Sequence, residues 1–131
     1  MDPQLLQPLT MLGPCTADPN AIDADPPPQA IFPQDTVITS QEATGPLTTI
    51  KGYIPMTPVQ VQVFYQEQDR YDVLQIENEI QESEALLADG NNRFFVKAQA
   101  VCELGSVFLA VVAPESAASQ VPTPAGSPPS N

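Results

Sequence analysis

Side chains able to do chemistry are few in this chain, and their spacing limits them further. There is no histidine, which removes every His-based triad and most zinc sites. No GxGxxG, P-loop or G-x-S-x-G pattern occurs. The two cysteines, Cys15 and Cys102, form no CxxC pair. Glu77, Glu79, Glu82 and Glu84 come nearest to paired carboxylates. They read as the solvated side of a helix, because splitting their proton affinities would need a cleft that so small a core scarcely forms. Asp18, Asn20, Asp23 and Asp25 space oxygen atoms as a calcium loop does. Asp23, however, stands where that loop needs glycine and Gln29 where it needs glutamate. Asp-Pro turn chemistry accounts for the same residues. No catalytic residue, metal site or cofactor is expected, and no enzyme.

The elements around these residues are set by proline. Of 16 prolines, nine lie in residues 1–46, two in 47–113 and five in 114–131. This divides the chain into an extended arm (1–34), a compact β-rich core (35–113) and a Ser/Pro-rich tail (114–131). The net charge of −12 divides as −6, −5 and −1 over the three proline-counted segments, so none is basic. Such a field repels phosphate backbones and anionic lipid, which disfavours nucleic-acid and membrane-surface partners. The amino-terminal MDPQLLQPLTMLG carries no base and is broken by Pro3 and Pro8, so no export signal is expected. The longest apolar run, Val107 to Ala113, falls far short of the ~20 residues that span a bilayer. A soluble protein of a reducing cytoplasm follows, with free thiols at both cysteines. A disulfide between them is the alternative.

In the core, Phe94, Val96, Ala98, Ala100 and Cys102 alternate with Phe95, Lys97, Gln99 and Val101. Val107 to Ala113 is apolar throughout. Together they predict a β-hairpin with its second arm covered on both faces. Strands are also predicted at 36–40, 47–54 and 59–66. In the last of these Val59, Val61, Val63 and Tyr65 alternate with Gln60, Gln62, Phe64 and Gln66, which makes a glutamine face suited to a neighbouring chain. Between Tyr71 and Ala88 the spacing of Val73, Ile76, Ile80 and Leu87 predicts a helix, with Asp72 and Gln75 as a capping box and Gly90 as its stop. A strand is the alternative there, since Leu74, Ile76 and Ile80 also alternate. The fold class is mainly β: a small antiparallel sandwich or barrel of about five strands with one helix. The proline-poor segment 47–113 has 67 residues, a size at which a domain buries only ~60% of its unfolded surface. With disulfides and metals poorly supported, association with other chains is the expected source of stability.

The arm 1–34, the apolar β core ending in SVFLAVVA, and the lack of cysteine pairs and histidines give a layout that resembles the decoration, or cement, proteins of tailed-phage capsids. The resemblance implies a homo-oligomer, trimer or dimer, on the outer surface of a virion assembled in the host cytoplasm. Its arm would add a strand to a major capsid-like protein. Leu5, Leu6, Leu9, Leu12, Ile31 and Phe32 would then bind the shell, and Gln60 and Gln62 would face a neighbouring chain. The alternative is a regulatory adaptor whose proline-rich acidic arm is a ligand for other domains, with Pro55 to Pro58 as its PxxP match in the core.

Overall fold

The computed structural model describes residues 12–15 and 20–124 of the chain. Its elements are β1 (Val37–Thr44), β2 (Leu47–Ile54), α1 (Pro58–Gln66), β3 (Asp72–Glu79), β4 (Glu82–Asp89), β5 (Asn92–Cys102) and β6 (Gly105–Pro114), followed by a 3-10 segment, Glu115–Gln120. The strands form one six-stranded sheet in the order β1-β2-β6-β5-β4-β3, antiparallel at every step. The mainly antiparallel β character stands. The sheet is open, and its second layer is helix and irregular chain where a sandwich or barrel would have placed strands.

The predicted hairpin lies in the interior of the sheet as β5 and β6, with Phe94 opposite Val112 and Val96 opposite Ala110. Two other segments exchange types with the prediction. The expected strand at 59–66 is the helix α1. Thr57 and Gln60 make a reciprocal capping box, and Pro58 occupies the first turn, where its missing N–H is no loss. The expected helix at 71–88 is the hairpin β3–β4, with Ile76 opposite Ala85 and Glu79 opposite Glu82. There, pairing with β5 prevails over the helix propensity of Glu, Leu and Ala. Gly90, predicted as a helix stop, instead starts the two-residue β4–β5 turn at φ +57°, and Gly45 serves the β1–β2 turn at φ +58°. Glycine adopts that left-handed backbone without steric cost.

One face of the sheet carries Ile50, Leu87, Phe94, Val96, Phe108 and Val112, and buries Val61 and Tyr65 of α1 against them. Phe94 is the hub of an aromatic cluster: ring centroids lie 5.6 Å away at Tyr65, 5.5 Å at Tyr71 and 6.0 Å at Phe32. Chain from the arm closes the cluster, with Ala30 buried and Ile31 and Phe32 half-buried on it. The opposite face is covered more thinly. Phe95, Val111 and Ala113 are buried there beneath Ala117 and Val121, so part of the tail expected to be a linker-like end supplies core.

A bond joins Cys15 to Cys102, with their Cα atoms 5.1 Å apart. The expectation of free thiols is corrected, and with it the view that the core lacks a covalent staple. Beside the bond, Glu103 donates its backbone N–H to the Gly13 carbonyl at 2.7 Å. The arm is thus fastened to the β5–β6 turn.

Candidate docking surface

Hydroxyl groups on α1, on the residue before β3 and on β4 and β6 pin the coverings of the aromatic face. Tyr65 Oη donates to the Ile31 carbonyl at 2.7 Å. Tyr71 Oη donates to the Gln29 carbonyl at 2.6 Å and accepts from the Ile31 N–H at 3.0 Å. Ser83 Oγ donates to the Pro58 carbonyl at 2.8 Å, and Ser106 Oγ to the Met56 carbonyl at 2.7 Å. Burial pushes the Tyr65 phenol well above its ordinary range, with Tyr71 adding to the shift. Tyr71 is raised as well, chiefly by burial and further by Asp89, against the opposing pull of the Ile31 N–H and Arg70. These phenols stay protonated and act as hydrogen-bond pins.

The arm residues predicted to bind a partner therefore divide. Ile31 and Phe32 are spent on this chain's own core, Phe32 with its ring 5.0 Å from Phe108. Leu5, Leu6 and Leu9 lie outside the described residues, as does Asp18. Leu12 is exposed, next to the Gly13 carbonyl that Glu103 holds. The two glutamines do not share a face of a strand. Gln60 closes the helix cap, while Gln62 is half-buried in α1 with no hydrogen-bond partner for its Oε1 among the described residues.

Among the described residues, exposed apolar side chains remain on β3, at the β5–β6 turn and on α1. At the fastened end, Leu104 is 60% exposed, Val101 46% and Val107 42%, with Leu12 beside them. This is a large apolar surface for residues flanking one turn. On α1, Pro55, Met56, Val59, Val63, Phe64 and Glu67 line an open groove of about 550 Å³. Glu77, Glu79, Glu82 and Glu84, expected on a helix, share one face of β3 and β4 as two directly opposed pairs. Lys97 reaches Glu82 at 3.3 Å. Among the described residues no group of three acidic or cysteine side chains is placed to hold a metal ion, and no helix is long and apolar enough to cross a membrane.

Sequence reasoning missed the Leu104 patch, because Val107 belongs to the arm read as covered on both faces, and nothing local joins it to Val101 and Leu104. The turn residues Glu103 and Leu104 were the available signal, a leucine at a hairpin tip where a polar residue is usual. No family model, curated protein or solved structure matches this chain.

Proposed function

We propose that this chain is a non-catalytic docking protein of the decoration kind, which binds the outside of a larger protein shell such as a viral capsid. The observation that carries the reading is the apolar patch of Leu12, Val101, Leu104 and Val107 beside the Cys15–Cys102 bond. In sequence, Leu5, Leu6 and Leu9 lie just before it. Burying such side chains is worth ~1.5–3 kcal/mol each when complete, and a surface already fixed by a covalent clasp loses little freedom on binding. The partner is a capsid-like structural protein, with self-association on the shell surface and the virion as the place of action. The adaptor alternative loses its core motif, because Pro58 is buried as the first residue of α1 and cannot be presented to a reader domain.

Co-sedimentation of the purified protein with empty phage shells tests the reading, with Leu104→Asp and Val107→Asp as paired variants. The parent is expected to pellet with a shell and both variants to remain in solution. A parent that stays in the supernatant with every shell tried, or variants that pellet equally well, removes it.

A further inference from the structure

The two edges of the sheet are finished differently. Along β1, Ile22 donates its N–H to the Ile38 carbonyl at 2.9 Å and Gln41 Nε2 donates to the Asp25 carbonyl at 3.1 Å, so residues 22–25 run beside that edge. Nothing comparable lies along β3. Among the described residues, no backbone hydrogen bond reaches residues 72–79 from outside the β3–β4 ladder. Its outer row of N–H and C=O groups is a template for another strand.

The side chains on this edge select the occupant. Register with β4 puts Asp72, Gln75, Glu77 and Glu79 on one face, and Val73, Ile76 and Asn78 on the other. Opposite Glu77 and Glu79 stand Glu84 and Glu82, with Lys97 as the one base at that corner. A second copy is a poor fit, because two β3 edges paired antiparallel would set Asp72 against Glu79 between chains that each carry −12. This chain's own ends fit no better, since residues 1–11 and 125–131 contain no lysine or arginine. Val73, on the other face, is 42% exposed and Leu74, at the bulge, 49%, which offers apolar contact along the same edge.

We propose that the outer edge of β3 is a docking site for an extended basic segment of a partner protein, added to the sheet as a seventh strand. Its lysine or arginine side chains alternate with apolar ones, the bases facing Asp72, Glu77 and Glu79 and the apolar residues facing Val73 and Ile76. Pairing is strongest over Gln75 to Glu79, beyond the bulge at Leu74. The acids that disfavour pairing of two β3 edges are the ones that admit the basic strand. This site is separate from the patch at Leu104 and does not rest on the decoration reading.

Three acetylated peptides test it on the full-length, disulfide-bonded protein: one of alternating Lys and Val, one of alternating Glu and Val, and the Lys-Val peptide with alternate backbone nitrogens methylated. The Lys-Val peptide is expected to bind and to slow amide exchange within residues 75–79, while the other two bind at least about tenfold more weakly. Glu77→Lys with Glu79→Lys is expected to weaken the Lys-Val peptide by a similar factor. Equal binding of the methylated peptide shows attraction by charge without strand addition and overturns the proposal. So does protection that appears away from residues 72–79, or no binding at all. The methylated peptide needs no variant, so the test survives a double variant that fails to fold.

Discussion

The two faces of the sheet bury similar kinds of side chain but hold their coverings in different ways. On the aromatic face, α1, residues 29–32 and the Met56 turn are each tied down by a hydroxyl aimed at a backbone carbonyl. On the opposite face, the segment from Glu115 to Val121 rests on Phe95 and Val111 through small side chains. Its polar ties lie at one end: the Glu115 N–H to the Asn91 carbonyl at 2.6 Å, and an ion pair from Glu115 to Arg93 at 3.2 Å. Apolar contact without central pins leaves a covering free to slide or lift, whereas a buried hydroxyl that loses its carbonyl is costly. The difference teaches which layer gives this chain a unique structure: the aromatic one.

The largest test of that contrast compares neighbours on one strand. Phe94→Ala empties the hub of the aromatic cluster and is expected to cost about 4–5 kcal/mol, at the top of the range for such truncations. Phe95→Ala, as buried but under a covering able to settle inward, is expected to cost about 3 kcal/mol. Urea unfolding of both variants measures the gap. Equal losses would mean that the two coverings are equally rigid.

Next comes the clasp. The bond joins residues 87 apart in sequence, and closing so large a loop in the unfolded chain is worth about 4.5 kcal/mol on the chain-entropy account. Cys15→Ser is expected to lower stability by about 3–4 kcal/mol and to bring the Gly13–Glu103 end into fast amide exchange. The pins on Ile31 and Gln29 should persist, because they depend on Tyr65 and Tyr71 and not on the bond. A variant that loses protection at Ile31 as well would show that the clasp, rather than the hydroxyls, orders the arm.

These two layers were unequally legible in the sequence. The β5–β6 hairpin could be read because Phe94, Val96 and Ala98 alternate with Phe95 and Lys97, and its buried face emerged correctly. α1 could not be read from periodicity, since VQVQV also alternates at two and the helix buries only Pro58, Val61 and Tyr65. Its true signal was Thr57-Pro58 with Gln60, a cap and not a pattern. β3–β4 went the other way: composition favours helix, and only pairing between strands, β3 with β4 and β4 with β5, makes it a hairpin. Ile31 and Phe32 stood out as apolar residues of the arm, but no local feature says that they cover this chain's own sheet. Glutamates 77, 79, 82 and 84 were noticed, yet their pairing across two strands depends on a register that no single segment encodes. The cysteine bond is equally non-local.

The tyrosine pins make the aromatic face sensitive to base. Burial raises both phenols, so the folded chain holds protons that the unfolded chain releases near pH 10. The folded state thus binds more protons above that point, and stability falls as pH rises past 10 while remaining whole below it. Unfolding midpoints taken on either side of that pH, with phenolate absorbance as the reporter, should show the loss. Tyr65→Phe should remove part of the dependence and cost about 1–3 kcal/mol at neutral pH, because the Ile31 carbonyl loses its donor. A profile unchanged in that variant would mean that Tyr65 is not a pin.

The smallest effects belong to the thin covering, and they sharpen the contrast from the other side. Val121 is 5% exposed and belongs to the second cluster, so Val121→Ala is expected to cost about 1 kcal/mol, near the low end for a buried aliphatic truncation. Glu115→Gln should cost less still. Its carboxylate is 56% exposed where it meets Arg93, and ion pairs so open to water are worth ~0–1 kcal/mol and fade with salt. The Glu115 backbone bond to Asn91 does not depend on the side chain and survives the change. Both variants should leave exchange on the aromatic face untouched while loosening Glu115 to Val121. Were Glu115→Gln to destabilise as much as Tyr65→Phe, in a salt-independent way, the tail would be pinned as firmly as the arm and the two faces would no longer differ in kind.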